Sequence, residues 1–124
     1  MIETTILTYL LNKTSAGTDV YAERPTEIPS EYIVIEKTGS TRENMITTST
    51  IAIQSISDSL QGGSMLQAMT LNDEVKEAIL GGADTYGMVD LDEIISVELN
   101  SDYNFTDTDT SEYRYQAVFA ITHY

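Results

Sequence analysis

The chain has 124 residues, no cysteine, no tryptophan and a single histidine, His123, so disulfides, thiolate metal sites and imidazole relays have almost nothing to work with. Twenty Asp and Glu against six Lys and Arg give a formal net charge of −14; such a surface repels a phosphate lattice, and the cations Lys13, Arg24, Lys37, Arg42, Lys76 and Arg114 are too scattered to predict a basic patch. One domain spanning residues 1–124 with one core is expected at this length, with neither a membrane span nor a signal peptide, because no apolar run approaches the roughly 20 residues a bilayer requires.

Ile2, Ile6, Tyr9 and Leu10 fall on one helical face, with Leu7 and Leu11 widening the stripe, which predicts a short amphipathic helix over Ile2 to Lys13. Gly17 then permits a turn, and a short extended piece from Thr18 to Glu23 is expected to follow. Pro25 and Pro29 bracket a connector. Beyond it Tyr32-Ile-Val-Ile35 is an apolar run rich in β-branched side chains, read as a central strand. Its partner is Met45 to Ile56, dominated by Thr, Ser and Ile, which favour strands over helices. The two make a hairpin. Its distal half, Thr38 to Thr50, has too few apolar residues to lie on a core and is expected to project.

From Ser59 to Leu80 the period changes to about 3.6, with Ala68, Leu71, Val75, Ala78 and Ile79 in one stripe opposite Gln67, Asn72, Asp73, Glu74 and Lys76. Gly62 and Gly63 cost about 1 kcal/mol each inside a helix, so its first turn is expected after them, and Gly81-Gly82 ends it. Glu93 to Ser101 alternates, with Ile95, Val97 and Leu99 on one side. In the final strand, Glu112 to Tyr124, one face carries Tyr113, Tyr115, Ala117, Phe119 and Ile121. A polar loop, Asn100 to Ser111, joins these two, and antiparallel pairing is the simplest topology. The fold class predicted is α+β: a single antiparallel sheet of about four to five strands with two helices packed on one face, plus a projecting β-hairpin.

Catalytic chemistry is poorly supplied. Asp107, Asp109, Ser111 and Glu112 resemble the opening of a calcium loop, but glycine is missing at the sixth position and an acid at the twelfth. Asp90, Asp92 and Glu93 read as a solvated strand entry rather than an acid–base pair, and His123 reads as a surface residue. No catalytic residue, cofactor or metal is predicted, and the chain is not read as an enzyme. Function is therefore expected in surfaces. Eight tyrosines favour contact, since tyrosine offers large area with a polar tip.

Three segments together resemble a known group: Asp19 to Pro25 with Pro29 to Gly39; Ile51 to Ser59; and Tyr103 to Phe119. The chain is similar to tail terminators, also called tail-to-head joining or tail completion proteins, of long-tailed siphovirus-type bacteriophages or prophages of Gram-positive bacteria. The resemblance covers most of the chain from residue 19 onward and rests on the order and spacing of all three segments. It implies an α+β subunit of a six-membered ring on the tail tube. The ring would stop tube polymerisation, dock the head completion protein and let DNA pass without specific binding. Such a subunit would belong to the virion, at the head–tail interface, and be assembled in the host cytoplasm. Candidate contact residues are Thr38, Gly39, Ser40, Thr41, Arg42, Glu43 and Asn44 in the hairpin, and Tyr103, Asn104, Phe105, Asp107 and Asp109 in the loop. The competing classes are a head-side connector or stopper subunit and an acidic DNA mimic that occupies the cationic groove of a nuclease or repressor. Acids spread among Thr and Ser, instead of arrayed densely along helices, favour the first group over the mimic.

Overall fold

The computed structural model describes residues 2–82, 87–106 and 110–124. In chain order, helix α1 (Ile2–Leu10) is followed by strands β1 (Val20–Tyr21), β2 (Glu31–Glu43) and β3 (Ile46–Asp58). A 3-10 turn (Ser59–Gln61) leads into helix α2 (Met65–Leu80); a second (Gly87–Asp90) precedes β4 (Ile94–Asn104) and β5 (Glu112–His123). The five strands form one sheet in the order β1-β2-β3-β5-β4.

The helical stripes bury as the 3.6-residue period predicts. In α1, Ile2, Ile6 and Leu10 are buried. The helix stops at Leu10, ahead of the predicted Lys13, where Asn12 turns to φ +63°, a conformation asparagine tolerates. In α2, Ala68, Leu71, Val75 and Ile79 are buried, and Ser64 caps the first turn by accepting from the Gln67 N–H at 3.1 Å. The glycine pair ahead of the cap has a steric cause. Gly62 sits at φ +89°, and a Cβ on Gly63 would lie 2.1 Å from Ser57 Oγ, where β3 ends. Both helices pack on the sheet face that carries Ile33, Ile35, Ile51, Ile53, Phe119 and Ile121. The Tyr9 hydroxyl joins them by donating to the Ala78 carbonyl at 2.8 Å.

Three expectations change. The sheet is mixed: β1 pairs parallel to β2, Val20 opposite Ile33, while the other three pairings are antiparallel. The 22–30 connector returns the chain to the end of the sheet from which β1 started, so β2 runs the same way. Of the extended piece expected over Thr18 to Glu23, only Val20–Tyr21 pairs. The polar stretch Asp102–Asn104, beyond the strand expected to end at Ser101, continues as strand: β5 satisfies its backbone as far as Asn104 opposite Tyr115, and main-chain pairing does not require apolar side chains when one face meets water. Two register shifts, at Ile94/Ser96 and Leu99/Ser101, bend this edge.

The hairpin projects less than its polarity suggested. β5 accompanies β3 as far as Thr47 opposite His123, and Ser49 is completely buried, because a small hydroxyl side chain fits beneath a neighbouring strand that a polarity count ignores. What leaves the core is β2 from Glu36 onward, the turn, and Ile46. A register shift between Lys37 and Gly39 marks where β2 departs. Asn44 and Met45 both take positive φ, 52° and 70°, which is the type I′ geometry that matches strand twist.

On the opposite sheet face the connector is pinned by a polar cluster. Arg24 donates to the buried Glu112 at 2.6 Å, and the Tyr32 phenol donates a short hydrogen bond to the other Glu112 oxygen. Burial, then that hydrogen bond, push the Tyr32 phenol well above its usual pKa.

Candidate interaction surface

The hairpin arm is a polar surface with an apolar end. Thr38, Gly39, Ser40, Thr41, Arg42, Glu43 and Asn44 are all exposed, and Thr38 Oγ1 reaches the Thr50 carbonyl at 3.4 Å. At the turn Met45 is 72% exposed, with Ile46 beside it, and Arg42 Nη2 lies 3.5 Å from Met45 Sδ. Arg24 and Lys76 are taken by carboxylates, while Lys13 and Arg114 lie over the rings of Tyr9 and Phe105. Among the described residues Lys37 and Arg42, both on this arm, make no ion pair.

The second predicted group lies at the other end of the sheet. Tyr103 and Asn104 close β4, and the Phe105 N–H donates to the Arg114 carbonyl at 3.0 Å. Tyr103 and Phe105 meet edge to face at 6.0 Å, the Arg114 guanidinium lies 5.0 Å from the Phe105 ring centre, and Gln116 Nε2 donates to the Tyr103 hydroxyl at 2.5 Å. The result is a rigid aromatic platform instead of a loop. Asp107 and Asp109 lie outside the described residues, and Glu112, the sixth position of the calcium-like loop, is buried and taken by Arg24 and Tyr32. The rungs His123–Thr47 and Asn104–Tyr115 separate the two groups by about 27 Å along β5. The structure thus does not bring the described candidates together: Thr38 to Asn44 lie at one pole and Tyr103 to Phe105 at the other.

Other polar groups serve the fold. Lys76 Nζ bonds Asp102 at 2.5 Å and Asp73 at 3.2 Å. Burial alone would raise the Asp102 carboxyl, but hydrogen bonds from Lys76 and Asn72 overcome it and hold the group below its ordinary pKa. His123 is half-buried, its Nε2 2.9 Å from the Oγ of buried Ser49. It is therefore a rung of the core edge and not a free surface group. Asp90 ends a 3-10 turn and Asp92 and Glu93 are exposed; no group of three or more His, Asp and Glu converges among the described residues.

Sequence reasoning missed the exposed apolar side chains around the start of α2: Leu60 at 79%, Leu66 at 71% and Met69 at 43%. The signal was present, because Leu66 and Met69 fall outside the Ala68–Leu71–Val75 stripe. An apolar residue off the stripe of an amphipathic helix is a contact candidate.

No protein-family model and no curated protein matches this chain. Solved structures do. A chain from the virion of a native gene transfer agent (GTA) particle superposes with a TM-score of 0.59 at 15% identity, and the match covers 95% of this chain and 83% of that one. At that identity the likeness establishes a shared fold.

Proposed function

We propose that the chain is a non-enzymatic structural subunit of a phage-like virion and, more narrowly, a tail terminator. In this role it forms a ring, six-membered by resemblance, on the finished tail tube. The ring stops polymerisation and presents a docking surface to the head completion protein. The observation that carries this reading is the fold shared with a virion chain along nearly the whole length. The placement of the exposed segments supports it. A closed ring needs a heterologous interface, one surface meeting a different surface of the next copy, and a subunit at a junction must touch components above and below. A polar arm at one pole and an aromatic platform at the other give distinct surfaces for those contacts.

The acidic balance acquires a role in such a ring. Six copies at −14 would total about −84, and a negative lumen repels phosphates, so DNA passes without adhering. The test is genetic: in the virus or prophage that encodes this chain, its removal should yield filled heads without tails and tails of unregulated length. Normal-length tails still joined to heads would sink the proposal. Tails of normal length left unjoined would move the chain to the head-side connector.

A further inference from the structure

Beside the start of α2 an open cleft of about 410 Å³ is lined by Ser15, Glu31, Leu66, Gln67 and Glu74, among others. Its lining holds a carboxylate without a counter-charge among the described residues. Glu31 is 8% exposed, its Oε2 has no hydrogen-bond partner, and it makes no ion pair among the described residues. Glu74 points a second carboxylate into the same space, its Oε2 accepting from the Ser15 N–H at 2.7 Å. A buried carboxylate left unpaired is costly, and a charge-assisted donor relieves that cost. Leu66, 71% exposed, is an apolar wall of the cleft.

The matching group is on the same chain at the opposite pole. Arg42 is exposed, without an ion pair among the described residues, and 3.5 Å from the sulfur of Met45. Met45 is held at φ +70°, a conformation an apolar residue adopts only at a cost, and its side chain stands 72% exposed. The tip therefore offers the Arg42 guanidinium beside apolar Met45 and Ile46, with the exposed Glu43 carboxylate on the next residue, and the cleft offers carboxylates beside one apolar wall. Twelve strand steps from Glu31 to Glu43 separate cleft and tip by about 40 Å, so a tip cannot reach its own cleft.

We propose that the β2–β3 tip of one copy seats in the cleft of the next, with Arg42 against Glu31 and Glu74 and Met45 against Leu66. This deepens the ring reading, on which it rests, by naming a head-to-tail contact in which two different surfaces of the same chain meet.

The absence of native cysteine gives a direct test. Met45→Cys and Leu66→Cys, placed together in one chain and oxidised in the assembled state, should give a ladder of covalent multimers. Either cysteine alone should give nothing beyond dimers. Rings seen by electron microscopy that yield no ladder overturn this contact and leave the ring reading intact; the absence of any assembled species, alone at high concentration or on tail tubes, overturns both. A second variant guards against misfolding. Glu31→Gln should weaken association at least tenfold while the melting temperature of the isolated chain stays the same or rises, because the side chain makes no hydrogen bond or ion pair among the described residues that the substitution could break. A fall in melting temperature with unaltered association would show that Glu31 serves the fold and would refute the proposal.

Discussion

Replacing Met45 by glycine should make the isolated chain more stable while weakening its self-association. Met45 sits at φ +70°, where an L side chain costs about 1–2 kcal/mol relative to the right-handed region. Glycine relieves that cost and itself loses about 0.5–1 kcal/mol through the greater freedom of its unfolded state. Little hydrophobic stabilisation is forfeited, since the side chain is 72% exposed, and Asn-Gly is the preferred pair for this turn geometry. The net gain is about 0.5–1 kcal/mol. With an unfolding entropy of about 2.1 cal/mol/K per residue, a chain of 124 residues responds with a rise of about 2–4 °C. Differential scanning calorimetry on the dilute protein reads this directly, and sedimentation at high concentration reads association. A lower melting temperature would mean that Met45 holds the fold together, and the reading of the tip as a contact residue would fail.

Other perturbations separate fold from surface. Phe119→Ala opens the fully buried centre of the sheet and should cost about 3–5 kcal/mol, seen as a melting point lower by more than about 10 °C. Tyr32→Phe removes the phenol donor to Glu112 and should cost about 1–3 kcal/mol in urea titration. Because the Tyr32 pKa is raised, its contribution is complete below about pH 10 and is lost as pH rises beyond it. Absorbance titration of the eight tyrosines should therefore leave Tyr32 among the last to ionise, and ionisation at the usual pH would contradict the buried bond. Asp102 is held below its ordinary pKa, so its contribution is present above about pH 4 and lost as pH falls through the depressed value. Asp102→Asn should cost about 1 kcal/mol at neutral pH and flatten the acid limb of stability against pH; an unchanged limb would refute the pairing with Lys76.

Local patterns carried much of the architecture. The stripes in α1 and α2 and the β2–β3 hairpin follow from residues close in sequence, and the β4–β5 pairing from alternation in each strand, which β4 breaks at two register shifts that leave Ile95 and Leu99 exposed. The errors arose where a distant partner decides. Asp102 to Asn104 read as loop because polarity is weighed there without β5, whose backbone satisfies theirs. Ser49 read as projecting because nothing near it in sequence announces the strand that covers it. β1 has two residues and no periodicity to detect. The Arg24–Glu112 pair spans 88 positions, and no local signal links them. For the interaction surface, exposure of Thr38 to Asn44 was legible from composition. The separation of that arm from Tyr103 and Phe105, and the cleft around Glu31, depend on which strand ends share a pole.

In the proposed role this chain caps a growing tube. Mixing the purified protein with the tail-tube protein of the virus or prophage that encodes it, and measuring tube length and end structure by electron microscopy, reads this capping. Capped tubes should stop growing, shorten as the ratio of this chain rises, and carry a ring at one end. Tubes of unchanged length with bare ends would contradict it.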